Sequence, residues 1–298
     1  MSMFIEEFKR RPGTSWIVKP TSRSQGKGIF IINRIQQLTR WMKDKKDAER
    51  ENTQNTILSH PGLTGSSSPL PSASTSKEIQ NMLGSFIVSK YIAKPLLIGQ
   101  RKFDLRLYVL VTSFKPLVAY LHREGFARFC ATRYEGDNFS DDSLGSHLTN
   151  VALQKGDEHY NSTHGGKWSF RNVLLYIQGR YGAYVAEGLA TSIEFLIYHS
   201  LKAMDTVMFN DKHSFELYGY DILIDEDVKP HLIEVNASPS LSVTTTSDRL
   251  MKEEVLSDTV KIVFPPGFPN NKTTPYWEHR LKTDWATRQK TGFKLLQF

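Results

Sequence analysis

The sequence predicts an α+β protein built on antiparallel strands, and three features point to it. Residues 16–33, WIVKPTSRSQGKGIFIIN, place two short β-rich apolar runs either side of a Gly-, Ser- and Lys-rich turn, which predicts strand–loop–strand. Residues 218–235, within YGYDILIDEDVKPHLIEVN, alternate apolar and polar residues around an acidic turn and predict a hairpin. Between these, Ile193, Leu196, Ile197, Leu201, Met204 and Met208 recur at helical spacing and predict a core-facing helix over residues 191–208.

The remaining elements follow in order. Residues 34–46 predict a helix that ends in dense charge. Residues 59–76, SHPGLTGSSSPLPSASTS, are too poor in apolar side chains to build a core; they predict a surface loop, within a low-complexity stretch spanning 47–80. Residues 86–92 predict a short strand. Residues 103–112, FDLRLYVLVT, alternate and then become continuously apolar, as a central strand does. Pro116 ends that strand, and 117–121 restart another. Residues 168–176 predict a helix with Ser169 as its N-cap. After Pro265 the apolar pattern weakens, and the tail carries Lys272, Arg280, Lys282, Arg288, Lys290 and Lys294. No internal repeat is visible.

Composition narrows the class. With 298 residues, 39% hydrophobic and 23% charged, the chain is ordinary globular protein with room for two domains. Its single cysteine, Cys130, allows no internal disulfide and fits a reducing compartment. The first residues, MSMFIEEFKRRPG, contain no apolar stretch of the signal-peptide kind. No apolar run approaches the roughly 18 residues of a spanning helix. A net charge of +7 suits a polyanionic partner without choosing among nucleic acid, anionic lipid and acidic protein. The basic residues are dispersed and no nucleic-acid recognition module is visible, so neither nucleic acid nor membrane is expected as partner.

Three constellations carry chemistry. In the late hairpin, Glu234 and Asn236 share one face of their strand, while Ile233 and Val235 are expected to point into a core. If the strands pair through a turn at 225–229, Asp221 approaches both. Two carboxylates and an amide oxygen are hard donors of the kind Mg²⁺ takes; a hairpin with one wet, charged face accounts for the same pattern. Near the start, Lys19 lies in a strand and is followed by Ser24-Gln25-Gly26-Lys27-Gly28. Glycines there let backbone N–H groups approach phosphate oxygens, although an ordinary hairpin turn has the same composition. It matches neither a Walker A loop nor a dinucleotide fingerprint. Finally, Lys102, Asp104 and Arg106 alternate along the predicted central strand. Three charges on one face of a buried strand need partners, either a polyphosphate or an internal ladder of ion pairs.

In order along the chain, WIVKP, SQGKGI, KFDLR, GFARF, HLTNVA, GGKW, YGYDILID and LIEVNASPSL resemble the tubulin tyrosine ligase-like family, and within it the glutamylase members. The strings span residues 16–241. The resemblance implies an ATP-grasp fold, in which two α/β sub-domains with antiparallel sheets clamp ATP. It divides the chain into a partial central sub-domain (1–98), a C-terminal catalytic sub-domain (99–265) and a basic tail (266–298). The family's usual N-terminal domain has no counterpart before WIVKP, which implies a truncated form.

The resemblance also implies residue roles. Lys19, Gln25 and Gly26 would hold the phosphates. Ser89, Lys90, Tyr91 and Ile92 would meet the adenine, and Lys102, Asp104, Thr149 and Asn150 would make further nucleotide contacts. Asp221, Glu234 and Asn236 would be the magnesium ligands. Arg128 and Lys167 would bind the incoming amino acid, and Arg106 and Arg128 would stabilise developing anionic charge. The implied activity is a carboxylate–amine ligase that uses Mg-ATP to join glutamate to glutamate side chains of the acidic tubulin C-terminal tails. Its implied setting is the cytoplasm and cytoskeleton, with the cilium basal body or axoneme as a further site, and other subunits of a polyglutamylase complex as partners. Glycine or tyrosine ligation on the same fold, or an inactive scaffold that binds microtubules, are the alternatives.

Overall fold

The structure is a computed structural model that describes residues 2–21, 26, 28–41, 43, 85–136, 139, 144–150, 166–211, 214–264 and 290–298. Gln25 and the low-complexity stretch 47–80 lie outside the described residues, as does most of the basic tail. The chain divides into two units. The first takes Met1–Ala93 with Gly136–Leu144; the second takes Lys94–Glu135 with Gly145–Phe298.

The first unit opens with helix α1 (Ser2–Arg10), followed by β1 (Trp16–Pro20), β2 (Phe30–Ile32) and β3 (Phe86–Lys90). They form an antiparallel sheet in the order β2-β1-β3. Trp16 and Val18 of β1 are buried with Ile32 and Leu38, and Phe4 and Phe8 of α1 pack on them. The strand–loop–strand predicted for 16–33 is therefore present. Residues 35–41 are helical, and the Gln37 side chain accepts the Asn33 and Arg34 N–H groups at 2.9 Å each, satisfying two of the donors that a helix start leaves over.

The second unit is organised by an antiparallel seven-stranded sheet. Its strands are β4 (Leu97–Ile98), β5 (Arg101–Phe114), β6 (Leu117–Phe129), β7 (Lys167–Ser169), β8 (Glu216–Ile224), β9 (Pro230–Asn236) and β10 (Phe293–Leu295). The main order is β10-β6-β5-β8-β9, with β4 on β5 and β7 on β6. A short helix α2 (Leu144–His147) follows β6. Helices α3 (Phe170–Tyr181) and α4 (Ala183–Met204) lie between β7 and β8, and α5 (Thr246–Val263) follows β9.

Alternation along β5 assigns its two faces. Phe103, Leu105, Leu107, Val109 and Val111 pack on one side with Val173 and Ile177 of α3 and Leu189, Ile193, Ile197 and Leu201 of α4. Tyr108 and Leu110 face the other way, with Tyr120, Phe126, Phe293 and Val255, Ile262 and Val263 of α5. Helices thus cover parts of both faces, which explains why β5 reads as an almost continuous apolar run. Ser169 does cap α3, its hydroxyl accepting the Asn172 N–H at 3.2 Å. Trp168, predicted as the first helical residue, instead lies in β7. Met204 is the last residue of α4 and is 47% exposed, whereas Met208 beyond it packs on the core. The helical period ends at 204, so a turn and not the helix places Met208.

The hairpin forms as predicted, but its outer strand differs in one respect. Ile233 and Val235, expected in a core, are 37% and 42% exposed. β9 is the edge strand of the main order, and its register shifts between the Asp221↔Glu234 and Ile222↔Leu232 pairs, leaving Ile233 as a bulge. At the other edge, β10 pairs with β6 from Tyr120 to His122, and Leu296 is buried beside it. Part of the segment read as a tail is therefore a strand of the sheet. Among the described residues no helix is long and apolar enough to cross a membrane.

Candidate active site

The start of β5 carries Lys102, Asp104 and Arg106 on one face, and all three are buried. Sheet order supplies their neighbours. Asp104 lies opposite Arg128 on β6, Arg106 opposite Asp221 on β8, Arg128 opposite Lys167 on β7, and Asp221 opposite Glu234 on β9. Five strands thus bring residues more than a hundred positions apart onto one polar face, at the end of the sheet that the Tyr108–Phe126 cluster does not fill.

The central four form a continuous ladder, Arg106–Asp221–Arg128–Asp104. Arg106 grips Asp221 with two hydrogen bonds, Nε to Oδ1 at 2.5 Å and Nη2 to Oδ2 at 3.0 Å. Arg128 grips Asp104 in the same manner, Nε to Oδ1 at 2.8 Å and Nη2 to Oδ2 at 2.5 Å. The Arg128 Nη2 also donates to Asp221 Oδ2 at 2.8 Å, joining the pairs. Two guanidinium groups and two carboxylates balance, so Asp104 and Arg106, two of the charges that looked costly on a buried strand, have internal partners. Burial opposes the charge on Asp221, but the hydrogen bond from Arg106 and the charges of Arg128 and Arg106 outweigh it, holding this carboxyl below the usual range. Burial likewise works against charged Arg128, and Asp104 with Asp221 overrides it.

Glu234 and Asn236 close the array on the β9 side. Asn236 Nδ2 donates to Gly219 O at 3.2 Å and lies 3.5 Å from both Asp221 Oδ2 and Glu234 Oε1. The three expected ligands are therefore gathered within hydrogen-bonding distance. Their donor chemistry fits a hard divalent cation. Asp221 has three of its four lone-pair directions taken by arginine N–H groups, all but one of Oδ1's. Glu234 is exposed, and a half-turn of the Asn236 carboxamide presents its oxygen to the same point. Glu234 and Asn236 would hold most of the cation's protein contacts, with Asp221 a minor one.

Gly219 is required by this packing. A Cβ there would lie 2.7 Å from Pro239 Cβ and 3.2 Å from Arg106 Cδ. Gly219→Ala is expected to cost about 1–3 kcal/mol of stability by pushing on the Arg106 side chain or the Pro239 turn; urea unfolding measures it.

Lys167 reaches away from the ladder toward the start of α5. Its Nζ donates to Asp248 Oδ2 at 2.9 Å and to Thr244 Oγ1 at 3.1 Å. Lys252, one turn along α5, donates to the same Asp248 oxygen at 3.1 Å and to Ser242 O. Both ammonium groups stand over the Phe126 ring, at 4.7 and 5.7 Å from its centroid. Burial, the Lys252 charge and the Arg128 charge together outweigh the Asp248 contacts and hold Lys167 below the ordinary lysine range. Lys167, Asp248, Phe126, Trp168 and the first turn of α5 line a cavity of about 300 Å³.

Asp248 and Lys252 were not singled out by sequence. The available signal was local: Thr245 caps α5 by accepting the Asp248 N–H at 3.2 Å, and Asp248 and Lys252 stand four apart at its start.

The other expected residues stand as follows. Thr149 is buried and Asn150 half-buried after α2. The preceding Leu148 carbonyl accepts from Cys130 Sγ at 3.5 Å, and Cys130 N–H donates to Lys102 O at 2.9 Å, so this segment is tied to the start of β5. Burial pushes the Cys130 thiol up to about 12, which leaves it inert. In the first unit, Lys19 lies on β1 opposite Ile87, and Ser89 and Lys90 are exposed on β3. Tyr91 is buried, with its N–H donating to Ser15 O at 2.9 Å and its ring edge-on to Phe139. Gly26 and Gly28, in the connection between β1 and β2, have φ of +78° and +75°, a backbone that glycine takes without strain.

Residues 1–272 match the Tubulin-tyrosine ligase family. Among curated proteins, the chain is 46% identical over 291 residues to the "Probable alpha-tubulin polyglutamylase Ttll1" of Tetrahymena thermophila, covering 98% of this chain and 62% of that protein. It is 43% identical over 266 residues to the "Probable tubulin polyglutamylase TTLL9" of Bos taurus, covering 88% of this chain and 56% of the relative. It is 34% identical over 265 residues to the "Tubulin polyglutamylase TTLL5" of Homo sapiens, of which it spans 17%. The chain thus spans a little over half the length of the first two relatives.

Proposed function

The chain belongs to the tubulin-tyrosine ligase family and has its ATP-grasp-like fold, and from that premise we propose that it catalyses Mg-ATP-dependent addition of glutamate to glutamate side chains of tubulin tails. The observation that carries this reading is the polar face of the second unit. There a hard-oxygen trio, a pair of guanidinium groups and a lysine-rich pocket occur side by side. The names of similar proteins from a ciliate and two mammals support the substrate and the donor.

In this reading the acceptor carboxylate attacks the γ-phosphoryl group of ATP, giving an acylphosphate and ADP. The amino group of free glutamate then attacks the acyl carbon, and phosphate leaves. Bound through Glu234, Asn236 and Asp221, Mg²⁺ would supply charge neutralisation at the transferred phosphoryl group. Arg106 and Arg128 place two fixed positive groups on the same face. Their carboxylate partners hold them in position before reaction, so little reorganisation is needed when anionic charge develops. Lys167, opposite Arg128 on the sheet, offers a cation for the donor's side-chain carboxylate. In this reading the nucleotide contacts fall to Lys19, Gln25, Gly26, Ser89, Lys90, Tyr91 and Ile92 together with Lys102, Asp104, Thr149 and Asn150. The net +7 steers acidic tails toward the protein and weakens with salt. A cytoskeletal location follows from the substrate.

Offering labelled glutamate, glycine and tyrosine with microtubules and Mg-ATP tests the reading. Selective incorporation of glutamate into the tails is expected. Selective incorporation of glycine or tyrosine would keep the ligase and replace the donor; no incorporation of any would remove the assignment.

A further inference from the structure

The charges around Lys167 are arranged differently from the arginine ladder. Among the described residues, Lys167 and Lys252 form ion pairs with one carboxylate, Asp248, while Glu124, which also lines the cavity, lies 3.9 Å from Arg123. The Asp248 side chain is 1% exposed, the Lys252 side chain 5% and that of Lys167 11%. Asp248 Oδ2 takes both lysines and two further contacts, from Thr244 N–H at 3.0 Å and Thr244 Oγ1 at 3.2 Å. Its Oδ1 lies 3.0 Å from Lys252 Nζ yet receives no directed hydrogen bond. The carboxylate thus positions both lysines and the 242–245 segment against Phe126 without using its full capacity. Buried ammonium groups are unfavourable unless an anion joins them.

We propose that Asp248 is a positioning residue that holds Lys167 and Lys252 together at the donor pocket, where they meet the side-chain carboxylate of the donor amino acid. This rests on the ligase reading above. The charged groups acting on Lys167 are Asp248 and Lys252 of α5 and Arg128 of β6, and Glu124 of β6 lines the same cavity. Of these, Asp248 is the one that raises the lysine toward its charged form; burial and the two cations lower it. Without Asp248, Lys167 loses its proton at lower pH, and the donor carboxylate loses a charged partner. Asp248 touches no reacting atom in this account, so its removal acts on donor binding and not on turnover.

The test measures equilibrium binding of free glutamate to the whole protein with Mg-ATP present, alongside donor KM and kcat, across pH. Asp248→Asn is expected to weaken glutamate binding and raise donor KM about tenfold with kcat little changed, since a hydrogen-bonded charge pair contributes on that order. Its binding is expected to fade at lower pH than in the wild type. Asp248→Glu keeps the charge and is expected to lie between the two, with the wild-type pH break. ATP affinity, unchanged in each variant, confirms folding. Wild-type affinity and pH dependence in Asp248→Asn would overturn the proposal alone. So would a fall in kcat with unchanged donor binding, which marks a role in the chemistry. Absence of glutamate binding by the wild type would overturn the ligase reading and this proposal with it.

Discussion

Asp221→Asn is expected to destabilise the second unit by about 3–5 kcal/mol, the usual cost of removing one partner from a buried ion pair. The substitution keeps the shape of the side chain and removes its charge. Two buried guanidinium groups are then left with Asp104 alone, and the neutral amide must face three arginine N–H groups that had charged acceptors. Urea unfolding measures the loss as a lower midpoint with an unchanged slope. The pH dependence has a definite sign. Asp221 is held below its ordinary range in the folded protein, so its contribution is present above the unfolded carboxylate value of about 3.9. It is lost as pH falls through the folded value. The gap between wild type and Asp221→Asn is therefore widest near neutrality and narrows in acid. Exchanging Arg106 for Met as well is expected to recover part of the loss, because one unpaired charge goes with it.

Glu234→Gln is expected to act in the opposite manner, with a large effect on ligation and little on stability. Glu234 sits exposed on the edge strand, where a neutral isostere changes stability by about 0.5 kcal/mol or less. Of the trio's two carboxylates, that of Asp221 is taken up by two arginines, so the cation site depends most on Glu234. Ligation is expected to fall at least about a hundredfold, as for loss of a preorganised electrostatic contact at a developing charge. The two carboxylates thus differ in kind: Asp221 holds the ladder together, and Glu234 stands at its exposed β9 side.

The hairpin was legible because it is local. Asp225 accepts the Asp227 and Lys229 N–H groups at 3.0 and 2.9 Å, closing the turn that alternation and the acidic run had indicated. That put Asp221 beside Glu234 without knowledge of the rest of the sheet. The arginine ladder was not legible, because β5 lies between β6 and a strand more than a hundred residues later. Nothing in KFDLR or GFARF says that Arg106 pairs with Asp221 while Arg128 pairs with Asp104; sheet order decides it. Sequence left open whether a ligand or an internal ladder satisfied the β5 charges, and for Asp104 and Arg106 the ladder is present. Exposure of Ile233 was hidden by a bulge, which breaks the period of two on which the inward expectation rested, and that of Val235 by the place of β9 at the edge of the main strand order. Asp248 and Lys252 were missed for a related reason: their partner, Lys167, belongs to a three-residue strand whose place beside β6 no local pattern marks.

Calorimetric titration of ATP into the protein, with and without Mg²⁺, tests the central claim most directly. The account predicts ATP binding by the wild type that strengthens with Mg²⁺, and a folded Glu234→Gln variant in which that Mg²⁺ dependence is lost. Metal-independent binding in the wild type, or an undiminished Mg²⁺ response in Glu234→Gln, would contradict it.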